Sequence, residues 1–274
     1  MIILFINEII NSHEYYISNF KHYLDTKNER DLLLSICSLE NNIKLWNVNN
    51  FECILNISNI NNSGSLKSAC FLNDNNQIYI ITSNYGFCPE LIKVYDLKGN
   101  KIKEIKNSND NCFFICNYYD NKTCKNYIIT GNKEYVISYD YNENNIYHEY
   151  NDNDISYHKS IIIHNEGEKV KLIESSGNGN IRVWDFHSGF IMNKIGVSYD
   201  GINDICLWNN DCLFAGCGDN TIKLVSLKNN KEINNLYGHN KAVRTIKTFI
   251  HPILGECLLS QDEENIIKLW VIKS

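Results

Sequence analysis

The chain has little of what bends a backbone and little of what grips phosphate: two prolines, three arginines and three alanines in 274 residues. Few prolines, an aromatic content of 12% with 17 tyrosines, and no useful length of helical periodicity suit strands better than helices. Sparse arginine and a formal net charge of −6 remove the general attraction to phosphate backbones on which nucleic-acid binding rests. No segment has the length of a membrane-spanning helix, so no membrane insertion is expected. The apolar stretch Met1 to Ile10 lacks a basic leader and a small-residue cleavage site, and Glu8 interrupts it, which argues against a secretory signal. The expected location is the cytoplasm, with the nucleus as the alternative. Glycosylation sequons at Asn56, Asn61 and Asn121 then follow from an asparagine-rich composition.

Chemistry-bearing motifs are also missing. The eleven cysteines are odd in number, irregularly spaced and contain no CxxC pair, which excludes both a disulfide framework and a zinc cluster. Cys112 and Cys116, four apart in a strand-like run, share one face and read as core packing. No GxSxG elbow or HExxH pair occurs. Two glycine runs, Gly177-Asn178-Gly179-Asn180 and Gly216-Cys217-Gly218-Asp219, lead into strands and not into the helix N-terminus that a phosphate loop needs, so they read as hairpin turns. His251 before Pro252 reads as a loop residue without companion ligands. Asp200, Asp204, Asp211 and Asp219 fit no calcium-loop spacing and read as turn caps. No cofactor, metal or catalytic residue is expected.

What the chain does contain is a repeated sentence. Six alternating apolar hexamers recur: Asn42 to Asn47, Leu91 to Asp96, Tyr135 to Asp140, Asn180 to Asp185, Thr221 to Ser226 and Ile266 to Val271. Counted at the aromatic position they fall at 46, 95, 139, 184, 225 and 270, intervals of about 41 to 49 residues. Each is preceded by one β-rich run, such as Cys257-Leu258-Leu259-Ser260, and further upstream by another, such as Val243-Arg244-Thr245-Ile246. All but the last are followed by a short fourth run, such as Phe51 to Leu55. Period-two alternation in four runs per repeat predicts four-stranded antiparallel sheets.

Two blocks, the hairpin ending in Trp184-Asp185 and the span from Gly238-His239 to Trp270, carry a resemblance to the WD40-repeat family, and the six phased hexamers extend it over essentially the whole chain. The resemblance implies an all-β, WD40-type β-propeller of six recognisable four-stranded blades, one domain over 1–274. It also implies a buried network in which the Gly-His histidine links a turn aspartate, a Ser or Thr and the Trp. His239, Ser260 and Trp270 match, but Glu264 stands at the turn position. The fifth repeat keeps Asp219 and has Val225 for Trp, and the fourth keeps Trp184 and Asp185, with Ser156-Tyr157-His158 only approximating Gly-His. On this reading no repeat has the full set.

Because the last hexamer ends the chain, Ile2-Ile3-Leu4-Phe5-Ile6 is expected to supply the missing outer strand and close the ring. Six repeats fit a closed six-bladed ring, a seven-bladed member shortened by one blade, or an open propeller; the first is the expectation. The resemblance implies a non-catalytic scaffold or adaptor that binds protein or peptide partners on the rim, within a multiprotein complex. The alternative is a structural subunit of a coat or nuclear-pore-like assembly with an open propeller. There are no adjacent arginines of the kind phosphoinositide-binding propellers carry. The position two after Asp185 holds His187, not the Arg frequent in cullin-type ligase receptors. By register with Val243 the rim candidates are Tyr16, Ser18, Lys67, Tyr157, Asn203 and Arg244, with exposed Tyr and Arg as interface anchors.

Overall fold

A computed structural model describes residues 13–15, 19–58, 65–85, 91–106 and 112–272. The candidates Tyr16 and Ser18, and the closing strand expected at residues 2–6, lie outside them. Among the described residues there is no helix, and the strands form six antiparallel sheets in which neighbours in sequence are neighbours in space. The chain divides into two compact units, Met1–Thr130 and Gly131–Ser274.

The first unit begins with the sheet β1 (Asn19–Asp25), β2 (Arg30–Cys37), β3 (Asn42–Asn47) and β4 (Cys53–Ile57). It continues with β5 (Ser65–Asp74), β6 (Gln77–Tyr85), β7 (Leu91–Asp96) and β8 (Lys101–Lys106), and then β9 (Phe114–Asp120) and β10 (Lys125–Gly131). Alternation drives the packing. Leu32, Leu34 and Ile36 of β2, with Ile43 and Leu45 of β3, bury one face of the first sheet against Leu66, Ala69, Phe71, Ile78 and Ile80 of the second. At about 1.5–3 kcal/mol for each fully buried large apolar side chain, such faces are the main source of stability.

The second unit opens with β11 (Val136–Asp140) and β12 (Asn145–Tyr150), which pair antiparallel. Next come β13 (His158–Glu166), β14 (Lys169–Ser176), β15 (Asn180–Asp185) and β16 (Ile191–Gly196), then β17 (Ile202–Leu207), β18 (Cys212–Cys217), β19 (Ile222–Ser226) and β20 (Lys231–Leu236). The last sheet has three described strands, β21 (Val243–His251), β22 (Gly255–Asp262) and β23 (Ile267–Val271). The β17–β20 sheet is apolar on both faces. Leu213, Ala215 and Val225 pack toward Ile173, Ile181 and Val183, while Phe214 and Ile222 pack toward Val243, Ile246 and Leu258. A strand apolar on both faces must be covered on both, and here stacking of consecutive sheets provides the cover.

The run Gly177 to Asn180 makes a hairpin turn, while in the second run Gly216 and Cys217 end β18 and the turn begins at Gly218. Gly179 has φ of 80°, and a Cβ there would stand 1.3 Å from the Ser198 carbonyl oxygen. The Gly179 carbonyl in turn accepts the Val197 N–H at 2.9 Å. Only glycine allows the chain leading into the next sheet to pass at backbone contact.

Candidate interaction rim

The first strand of several sheets carries a bulge at its start. Register shifts fall between Leu66 and Ser68 in β5, His158 and Ser160 in β13, Ile202 and Asp204 in β17, and Val243 and Thr245 in β21. The extra residue in each is therefore Lys67, Lys159, Asn203 or Arg244. A bulge unpairs one residue, bends the strand and re-aims that side chain out of the pleat. Every one of these four side chains is polar or cationic.

Three of the six sequence candidates, Lys67, Asn203 and Arg244, thus occupy one structural position. Tyr157 does not: it is 46% exposed but sits two residues before the bulge residue of its sheet, which is Lys159. The misplacement has a local cause, since no Gly-His marks the start of this repeat. His158 pairs with Ser176 as Val243 pairs with Asp262, so it is a strand residue and not the counterpart of His239.

In the second unit the bulge residues stand on a cross-linked base. Lys159 Nζ donates to Asn203 Oδ1 at 2.7 Å, and Asn203 Nδ2 donates to the Val243 carbonyl at 2.9 Å. One residue further on, Asp204 accepts from the Ser160 hydroxyl at 2.7 Å, the Thr245 hydroxyl at 2.8 Å and the Ile246 N–H at 3.0 Å. Asp204 is therefore a tie between three inner strands, where the sequence suggested a turn cap. Arg244 is exposed and pairs with Glu263, and Tyr157 lies under the Lys133 ammonium, 6.0 Å from ring centre to Nζ. Burial and the nearby Arg244 charge push the Lys159 amine below its usual range. In the first unit Lys67 is exposed at the start of β5.

The buried networks correct the sequence reading. In the last sheet His239 Nδ1 lies 2.8 Å from Asp262 Oδ2 and Nε2 lies 2.7 Å from Ser260 Oγ, which also accepts Trp270 Nε1–H at 2.8 Å. The set is complete, and its acid is Asp262; Glu264, exposed, faces Lys241 instead. The carboxylate can only accept, so Nδ1 donates to Asp262. A second network escaped the sequence: His13 lies 2.7 Å from Ser35 Oγ and 3.2 Å from Glu40 Oε2, and Ser35 accepts Trp46 Nε1–H at 2.8 Å. Its signal in the sequence was His13 followed four residues later by the apolar Ile17, as His239 is followed by Val243.

Trp184 Nε1 is buried without a hydrogen-bond partner. Asp185 caps its turn by accepting from Ser188 N and Oγ, both at 2.8 Å, and Asp219 accepts from Thr221 and from Ser198 Oγ. His251 closes β21, where its Nδ1 accepts the Ile253 and Leu254 N–H groups at 3.1 Å, a turn cap at a strand end.

No family model and no curated protein matches this sequence. Solved structures do match. The WD40 beta propeller domain of Doa1 superposes with a TM-score of 0.68 at 16% identity, covering 88% of this chain and 75% of that one. The fold is a β-propeller. The computationally designed Ika8 protein matches at TM-score 0.69 and 14% identity, over 95% of this chain and 72% of that one. At such identities the propeller shape is shared and the side chains are not. The sheets described above are accordingly propeller blades, and the bulges lie at the starts of their innermost strands.

Proposed function

We propose that this protein is a non-catalytic scaffold that binds protein or peptide partners through the bulge-borne side chains at the starts of its inner strands. The observation that carries this reading is the recurrence of one bulge with a polar or cationic residue at Lys67, Lys159, Asn203 and Arg244. A rigid sheet that re-aims one side chain per blade suits recognition, in which specificity resides in variable side chains on a fixed frame. Propellers of this fold generally mediate protein interactions, which supports the reading. A cytoplasmic location fits the ten free thiols among the described residues. Burial holds several of them inert, with the Cys116, Cys206 and Cys217 thiols pushed up to about 12.

The test uses a short peptide selected from a display library on the immobilised full chain. Its Kd is measured against wild type, against K159A/N203A/R244A, and against I191A/I233A on the outer strands. Loss of at least about tenfold in affinity for the first variant alone supports the rim. Equal binding by all three proteins, or loss only in the outer-strand variant, overturns it.

A further inference from the structure

The fourth blade builds a different, more highly charged network in place of the histidine–serine–tryptophan set. Register makes the replacement residue by residue. Trp184 pairs with Leu172 as Trp270 pairs with Leu258, and Arg182 pairs with Glu174 as Lys268 pairs with Ser260. Four residues before His158 stands Asp154, as His239 stands four before Val243. Where the last blade has His, Ser and Lys, the fourth therefore has Asp154, Glu174 and Arg182.

The consequences are visible in the contacts. Arg182 is fully buried and donates in three directions: Nε to Asp152 Oδ2 at 2.7 Å, Nη2 to Asp154 Oδ2 at 2.8 Å, and Nη1 to Glu174 Oε1 at 3.1 Å. Glu174, also fully buried, meets His158 Nδ1 at 2.8 Å. Lys194 reaches both aspartates at 2.8 Å, and Asn178 Nδ2 donates to Asp154 at 2.7 Å. The cost is local: with glutamate in the serine position, Trp184 Nε1 and His158 Nε2 have no hydrogen-bond partner. Buried ion networks add little net stability over neutral replacements, so their stability value does not account for such an exchange. What the charges hold does. Asp152 and Asp154 belong to the connection 151–157, which runs from β12 into β13 and ends at Tyr157, two residues before the bulge residue Lys159.

We propose that Arg182 and Glu174 are positioning residues: a latch that clamps the connection 151–157 to the fourth blade and so fixes Tyr157 and Lys159 as part of the binding rim. The binding half of this statement rests on the function proposed above; the latch itself does not. Arginine suits this place because its planar fork spreads five fixed donors over a wider reach and is more weakly hydrated than the compact ammonium of lysine.

The test transplants the last blade's pair with E174S/R182K in the full chain. The serine hydroxyl can accept Trp184 Nε1–H, so the melting temperature should stay close to wild type. Hydrogen exchange of the amides in 151–157 should quicken about tenfold or more. Kd for the display-selected peptide should rise by about tenfold, with Y157A giving a comparable loss in the wild-type background. Unchanged exchange in 151–157 overturns the latch. Faster exchange with unchanged peptide affinity overturns the positioning role. If the peptide ignores Y157A and K159A as well, the rim reading fails while the exchange result still decides the latch. Should the double variant not fold, D154N, which alters a partly exposed member of the network, is read by the same exchange criterion.

Discussion

Ser260→Ala removes one hydroxyl and leaves the buried His239 and the half-buried Trp270 without that partner. Ser260 Oγ lies 2.7 Å from His239 Nε2 and 2.8 Å from Trp270 Nε1, and the serine is 2% exposed, so water cannot replace it cheaply. An orphaned buried polar group costs about 1–3 kcal/mol, and two sharing one partner give about 2–5 kcal/mol in all. For a chain of this size that is a fall in Tm of roughly 5–15 °C. Thermal and urea melts of wild type, S260A, W270F and S260A/W270F form a double-mutant cycle. Because W270F removes one of the two orphans, the double variant should lose clearly less than the sum of the singles. A cost for S260A under about 0.5 kcal/mol, or strict additivity in the cycle, would refute the reasoning that this hydroxyl joins His239 to Trp270.

Gly179→Ala should destabilise by more than about 3 kcal/mol, since a left-handed alanine is compounded by a Cβ driven into the Ser198 carbonyl; a urea melt within 1 kcal/mol of wild type, about the cost of φ alone, contradicts the close approach. The fourth-blade carboxylates give a pH signature. Burial works to raise Asp152, but hydrogen bonds from Arg182 and Lys194 outweigh it and leave the group below its usual range; at Asp154 the Lys194 hydrogen bond leads the same depression. Lowered carboxylates contribute stability above about pH 4 that is lost as pH falls through their depressed native values. Urea melts from neutral pH down to pH ~3 should therefore show a shallower acid decline in E174S/R182K than in wild type, and parallel curves would count against the network.

The blade strands were legible because their signal is local: alternation at period two and a recurring hexamer survive in one dimension. Lys67, Asn203 and Arg244 were legible by counting from Val243, because a bulge recurs at a constant offset. Tyr157 was displaced by two because the fourth repeat has no Gly-His to count from. Asp154, in the histidine position, looks like any loop aspartate until register places it. Glu40, Asp262 and Asp204 were missed or misassigned for a related reason: sequence spacing says which turn an acid belongs to, not which strand it reaches. Asp262 answers His239 from the end of its own strand, and Glu40 answers His13 from the turn, although their histidines are equivalent. The Arg182 latch needed both register and burial, since in the hexamer it differs from Lys44, Lys93, Lys223 and Lys268 only by guanidinium for ammonium.

The claim that the bulge side chains form the binding face is tested most directly by placing a photo-crosslinking amino acid at Asn203 or Arg244, and in separate proteins at Met192 or Ile233 on the outer strands, then irradiating each in native extract. Discrete crosslinked species at 203 and 244, competed away by excess unlabelled wild-type protein and absent at 192 and 233, are the predicted result. Crosslinks confined to the outer strands, or the same species at all four positions, would contradict it.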